Sequence, residues 1–215
     1  MDKIVVIGGG GHAKVVIDVL LAAGRAVAGY TDPAPVAGNL ISGVSCLGAD
    51  DVLPELHAAG LVHAIVALGE NSLRLRMAER LAALGFTLVN AIHPSAQISP
   101  NAILGRGVAV MPLAVINAGS ALGDCAILNT GATVDHDCTL GRGVHIAPGA
   151  HLAGYVTVEE EVLVGVGASV GRGRALLLGR RAVVGTGAVV LRDVPPGATV
   201  VGNPARPLAT RKSPS

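Results

Sequence analysis

An aliphatic side chain stands at every sixth position from Ile98 to Leu176 without a miss. A second small or branched apolar residue sits two places before most of them, as at Ala102, Val108, Ala114, Ala126, Ala132, Val144 and Ala150, while Ser120, Cys138 and Arg174 fill that slot less comfortably. A six-residue period fits neither an α-helix nor a heptad. It predicts short strands joined by tight corners in a parallel β-helix. Three hexads make one coil of about 18 residues, so residues 18 apart stack at roughly the 4.8 Å spacing of neighbouring strands. Strand alternation turns Cys138 into the coil, turns His145 and His151 outward, and stacks Gly154 on the corner residue His136. The register slips by two residues near Leu176–Leu178, resumes at Val184 and Val190, and stops at Pro195-Pro196-Gly197.

The first part of the chain lacks this period. Strand-like Lys3–Gly8, Ala26–Asp32, Val62–Leu68 and Thr87–Ile92 alternate with helix-like His12–Ala23, Asp50–Ala59 and Asn71–Leu84. That alternation predicts a small Rossmann-like parallel α/β domain. The segment Asn71–Leu84 sets an apolar stripe of Leu73, Leu75, Met77, Leu81 and Leu84 against a charged face of Arg74, Arg76, Glu79 and Arg80. Proline at His93-Pro94 ends the preceding pattern where the hexads begin. The expected division is an α/β domain over 1–92, an all-β solenoid over 93–208 and a flexible tail over 209–215.

Composition narrows the function classes. A formal net charge of +1 over 215 residues, with no basic tract, argues against nucleic acid or an anionic membrane as the main partner. The mean hydropathy of +0.59 comes from the repeat, since no uninterrupted apolar run reaches the length of about 18 residues that a membrane span needs. Met1-Asp2-Lys3 leads straight into a strand, so no secretory signal is expected. Three cysteines at spacings that match no CxxC pattern read as reduced thiols of a cytoplasmic protein. Rings are nearly absent (Phe86, Tyr30, Tyr155), as suits a narrow coil.

Against this apolar repeat, Asn129, Asp135-His136-Asp137, His145 and His151 stand out as a polar cluster. His136 has a carboxylate on each side, either of which could fix its tautomer. The glycine stacked on it leaves a backbone N–H accessible, which is what an acyl-transfer site wants beside its base. His57, His63 and His151 taken singly read as solvated surface residues, and Cys138 as core. No metal is expected: zinc needs three converging ligands, whereas His145 and His151 fall one hexad apart on successive faces. Near the N-terminus, Gly8-Gly9-Gly10-Gly11-His12-Ala13-Lys14 lies between a strand and a helix, where backbone N–H groups can meet a phosphate with Lys14 as counter-charge. A glycine turn that serves packing only is the alternative reading. Asp32 follows the second strand, where such domains meet a ribose or base, although Thr31-Asp32-Pro33 is also a plain turn.

Taken together these motifs resemble those of the nucleotide-sugar N-acetyltransferases of bacterial glycan biosynthesis, hexapeptide-repeat enzymes close to the sialic-acid O-acetyltransferase-like proteins. The resemblance runs from Ile7-Gly8-Gly9-Gly10-Gly11-His12-Ala13-Lys14 through Ala67-Leu68-Gly69-Glu70-Asn71, His93-Pro94, and His136-Asp137 with His145 nine residues on, to Val201-Gly202-Asn203-Pro204-Ala205. It implies a left-handed β-helix, a homotrimer with active sites between subunits, acetyl-CoA as co-substrate, and acetylation of the C4 amine of a nucleotide-linked 4-amino-4,6-dideoxyhexose for O-antigen lipopolysaccharide. GDP-perosamine is favoured there over UDP-4-amino-4,6-dideoxy-N-acetylglucosamine. By position it implies His136 as base and Asp137 as its orienting carboxylate, where family members often carry glutamate. Asn129 and His145 would line the acetyl and pantetheine pocket, Gly154 N–H would meet the thioester carbonyl, and the coils at Gly167 and Gly187 would form the coenzyme A groove. Gly8, Gly9, Gly10, Gly11, His12, Lys14, Asp32, Gly69 and Asn71 would hold the nucleotide sugar. The rival readings are O-acetylation of a sugar or sialic acid, a non-catalytic binding solenoid, and a γ-class carbonic anhydrase, which would demand zinc.

Overall fold

The computed structural model describes residues 3–35, 38 and 40–208; the expected tail over 209–215 lies outside them. The N-terminal part is built on β1 (Ile4–Ile7), whose four aliphatic residues are buried on both faces, as a central parallel strand requires. Around it run α1 (Gly11–Ala22), β2 (Val27–Thr31), β3 (Leu40–Ile41), β4 (Val44–Gly48), α2 (Leu53–Ala58), β5 (His63–Val66), α3 (Asn71–Ala83) and β6 (Thr87–Leu88). The sheet order is β3-β4-β2-β1-β5-β6, parallel except for the β3–β4 pair. The sequence pattern missed β3 and β4. Their hairpin turns on Ser42 and Gly43, both at positive φ, and Ser42 is an uncommon residue for such a turn.

From Ala91 onward the chain forms three stacked sheets of short parallel strands, the architecture of a left-handed β-helix. Ala91–Ile92, on the N-terminal side of the expected boundary, already pairs with Ala109–Val110 as the first rung. Rungs repeat at 18 residues, as in His145↔Leu163, and then at 20, as in Leu163↔Val183. The two added residues lengthen the corner at Gly171–Ala175, which is where the hexad register slips. The interior is a column of the residues that the period sends inward, from Val108 and Val110 to Val190 and Val200. The last strand, Arg206–Pro207, folds back antiparallel on Thr199–Val201.

The three faces differ in what covers them. On the first face the outward residues Ala91, Ala109 and Ile127, with Met111, are buried against Ile4, Ala13, Ile17 and Leu20 of the α/β domain. On the second face the outward residues Thr133, His151 and Ser169 line an open groove of about 620 Å³. Outward in the hexad therefore means solvent on one face and a domain interface on another.

Candidate active site

The polar cluster splits between two places. At the corner joining the second and third faces, the turn Asp135–Cys138 carries His136 between its two carboxylates, and the two have different jobs. Asp137 Oδ2 lies 2.9 Å from His136 Nδ1, which fixes the proton on that nitrogen and leaves Nε2 free to accept one. Asp135 Oδ1 instead accepts from the His136 backbone N–H at 2.8 Å and from Asn117 Nδ2 at 2.9 Å, so it holds the turn and not the ring. Asp137 sits at φ 55°, in the left-handed region, and its carboxylate lies over Gly119, where a Cβ would come within 2.5 Å of Oδ1. That hydrogen bond is the first cause holding the His136 pKa above the ordinary imidazole value, with Asp135 and Asp137 charge adding to it. The ring is about half exposed, with 47% of its side-chain surface accessible, so a substrate can reach it.

Gly154 is stacked on this ring as the 18-residue spacing requires. A Cβ there would stand 2.6 Å from His136 Nε2 and Cε1, so only glycine allows the contact. Among the described residues the Gly154 N–H has no acceptor, which leaves it available to a developing oxyanion. Tyr155, which the sequence reading passed over, packs edge-on against the imidazole with ring centroids 5.0 Å apart and sends its N–H to His136 O. Its signal was its place 18 residues after Asp137 in a chain with two tyrosines.

Asn129 and His145 lie elsewhere, on the first face, where the α/β domain covers them. Asn129 Nδ2 meets His145 Nε2 at 3.1 Å, and His145 also bonds to the Gly69 backbone. The His12 ring is 6.3 Å from that of His145. Burial, then repulsion from His145 and Arg74, pushes His12 down to about 4, and burial, then Arg74, does the same to His145, so both are neutral at pH 7. His12 Nε2 is buried with no hydrogen-bond partner among the described residues.

Helix α1 begins at Gly11 with Gly10 as N-cap and no capping side chain, so its first N–H groups are uncapped. Gly9 is packed under Asp32, whose carboxylate a Cβ would strike, whereas Gly10 and Gly11 have open space where a Cβ would stand. Asp32 Oδ1 is itself turned back to Ala34 N at 2.8 Å. Lys14 is exposed one turn into the helix. Asn71 is occupied otherwise: its Nδ2 donates to Glu161 O and Val162 O of the solenoid, and its Oδ1 accepts from Arg74. It is an interdomain strut, and the Gly69 carbonyl beside it accepts from Arg74. Gly167 and Gly187 stand at the corner between the first and second faces, at φ 65° and 66°, with open space beside them.

Among the described residues no hydrogen bond or ring contact links His136 to the glycine loop. Nor do any three His, Cys, Asp or Glu gather as a metal site there.

A coil of hexads bearing a carboxylate-oriented histidine packed on a glycine whose N–H is unpaired among the described residues fits an acyl-transferring solenoid. Residues 3–81 match the PglD N-terminal domain family. The chain is 30% identical over 153 residues to GDP-perosamine N-acetyltransferase of Escherichia coli O157:H7, covering 70% of this chain and 68% of that one. Among solved structures, it is similar to a histidine-to-asparagine variant of perosamine N-acetyltransferase from Caulobacter crescentus in complex with CoA and GDP-perosamine, at 47% identity, 97% coverage of each chain and a TM-score of 0.94. The acetyltransferase domain of PglB from Neisseria gonorrhoeae matches at 42% identity over 97% of this chain and 100% of that domain, with a TM-score of 0.90. The chain belongs to the hexapeptide-repeat acyltransferases, in the branch that holds GDP-perosamine N-acetyltransferase and the PglB acetyltransferase domains.

Proposed function

We propose that this protein transfers the acetyl group of acetyl-CoA to the 4-amino group of GDP-perosamine. The observation that carries the reading is His136, with Nδ1 on Asp137 and Nε2 packed against Gly154, in a chain 47% identical to the Caulobacter enzyme seen with CoA and GDP-perosamine. The neutral amine attacks the thioester carbon, His136 Nε2 takes the proton released as the C–N bond forms, and Gly154 N–H stabilises the oxyanion until the thiolate leaves. A positioned base contributes about 10²–10⁴-fold and one oxyanion donor about 10²–10³-fold. No covalent enzyme intermediate is required.

Gly8–Gly11 at the start of α1, with Lys14 and Asp32, hold the diphosphate and nucleoside, and His12 turns toward the sugar. Acetyl-CoA runs along the coils at Gly167 and Gly187. Because one chain keeps its glycine loop away from its own His136, the site is completed between copies, in a homotrimer. The use of acetyl-CoA and of a nucleotide sugar places the reaction in the cytoplasm, as a step toward O-antigen.

The test is a turnover assay with free coenzyme A thiol as readout, run on GDP-perosamine, UDP-4-amino-4,6-dideoxy-N-acetylglucosamine and a hydroxyl acceptor, with mass spectrometry of the products. GDP-perosamine should have the highest kcat/KM. A higher value for the UDP sugar replaces the substrate, and a preference for the hydroxyl acceptor replaces the reaction.

A further inference from the structure

The interior slots of the third face are Ala102, Ser120, Cys138 and Val156, stacked one coil apart. Two of these four are polar, and both are fully buried in an otherwise aliphatic column. A buried hydroxyl is costly unless it is bonded, so its partners show what it is for. Ser120 Oγ donates to Asp135 O at 2.6 Å and accepts from Cys138 N at 3.0 Å. Those two groups are the ends of the four-residue turn whose middle is His136 and Asp137. The hydroxyl closes the turn from inside the coil, holding Asp137 in its left-handed conformation with its carboxylate on the imidazole. The Cys138 thiol lies 3.7 Å from His136 O but nearer, at 3.2 Å, to Ala153 O, the carbonyl of the very peptide that presents Gly154 N–H. Burial raises the pKa of this thiol, so it is a donor and no thiolate.

We propose that Ser120 and Cys138 are positioning residues for acyl transfer: the Ser120 hydroxyl sets the turn that aims Asp137 at His136, and the Cys138 thiol sets the Ala153–Gly154 peptide that meets the oxyanion. These two hexad interruptions sit directly beneath the chemistry, one for the base and one for the oxyanion donor. The proposal rests on the reading of His136 as base, but its first test does not.

Ser120→Thr and Ser120→Val have nearly the same shape, and the equivalent slot holds Val156 one coil on from Cys138. Only threonine keeps the hydroxyl. Histidine Cε1–H titration by NMR, without substrate, should give S120T the wild-type His136 midpoint and S120V a lower one, nearer ordinary imidazole. S120A, which cannot overfill the slot, should follow S120V. In turnover, S120V should lose about tenfold or more in kcat with KM for both substrates unchanged, and S120T should recover it. A wild-type His136 midpoint in S120V and S120A overturns the role of Ser120, whatever the substrate proves to be. For Cys138→Ala the expectation is a loss of about threefold in kcat, the size of one weak S–H···O contact, with the His136 midpoint unmoved. Undiminished turnover in C138A removes Cys138 from the proposal.

Discussion

At the scale of single residues, the two carboxylates that flank His136 look equivalent in sequence and are not. Asp137 faces the ring and Asp135 the backbone, because residue 137 adopts positive φ and swings its side chain back over Gly119. Asp137→Asn should therefore move the acidic limb of kcat/KM to lower pH, since the contact that raises the His136 pKa is weakened, and should lower the plateau as well. A pH–rate profile checks this, and an unmoved limb would mean that Asp137 does not set the base. Gly154→Ala drives a methyl into the imidazole 2.6 Å away and should abolish turnover while the coil, whose interior is untouched, keeps its Tm. The stacking of His136 on Gly154 was legible by counting 18 residues. The division of labour between the aspartates was not, because a left-handed aspartate leaves no mark in a hexad pattern.

At the scale of elements, the repeat was readable almost residue by residue, since each strand is only two or three residues long and its inward position is fixed by period. The α/β elements were legible where apolar runs were long, as in β1 and α3, and not where two short strands carried mixed residues, as in β3 and β4. His145 shows what alternation leaves out. Alternation turns it out of the coil correctly, yet what lies outside is the α/β domain, and a strand pattern cannot report a partner domain. The glycine loop yields a sharp expectation of its own. Gly10 has a β-region backbone and free space at its Cβ, so Gly10→Val is tolerated by the fold but stands where we propose that phosphate approaches. Its KM for the nucleotide sugar should rise by about tenfold or more, with KM for acetyl-CoA and Tm unchanged. Equal effects on both KM values would take the loop out of nucleotide binding.

At the scale of the whole molecule, Arg74 joins the two domains. It is buried, and its five donors reach Cys125 O, Leu68 O, Gly69 O, Asn71 Oδ1 and Gly143 O, two of them on the solenoid. Arg74→Met would strand those buried acceptors and should cost roughly 3 kcal/mol or more in denaturant unfolding. His12 and His145 lie in the same interface, with pKa values near 4 against 6.5 for an ordinary imidazole. The unfolded chain thus binds protons at these histidines that the folded protein refuses. The stability they carry is intact above about pH 6.5 and drains as pH falls toward 4. Thermal melts of the wild type should drop through that window, and His145→Asn should flatten the drop; a parallel decline in both proteins would assign it to other groups. The α/β domain sits on the first face and His136 at the corner of the other two, which is why we propose that the site is completed between copies. The most direct measurement is thiol release from acetyl-CoA with GDP-perosamine by the wild type, His136→Ala and His136→Asn, beside their melting curves. The expected result is a loss of about a hundredfold or more in kcat for both variants at unchanged Tm; near-normal turnover in either would contradict the assignment of His136 as the base.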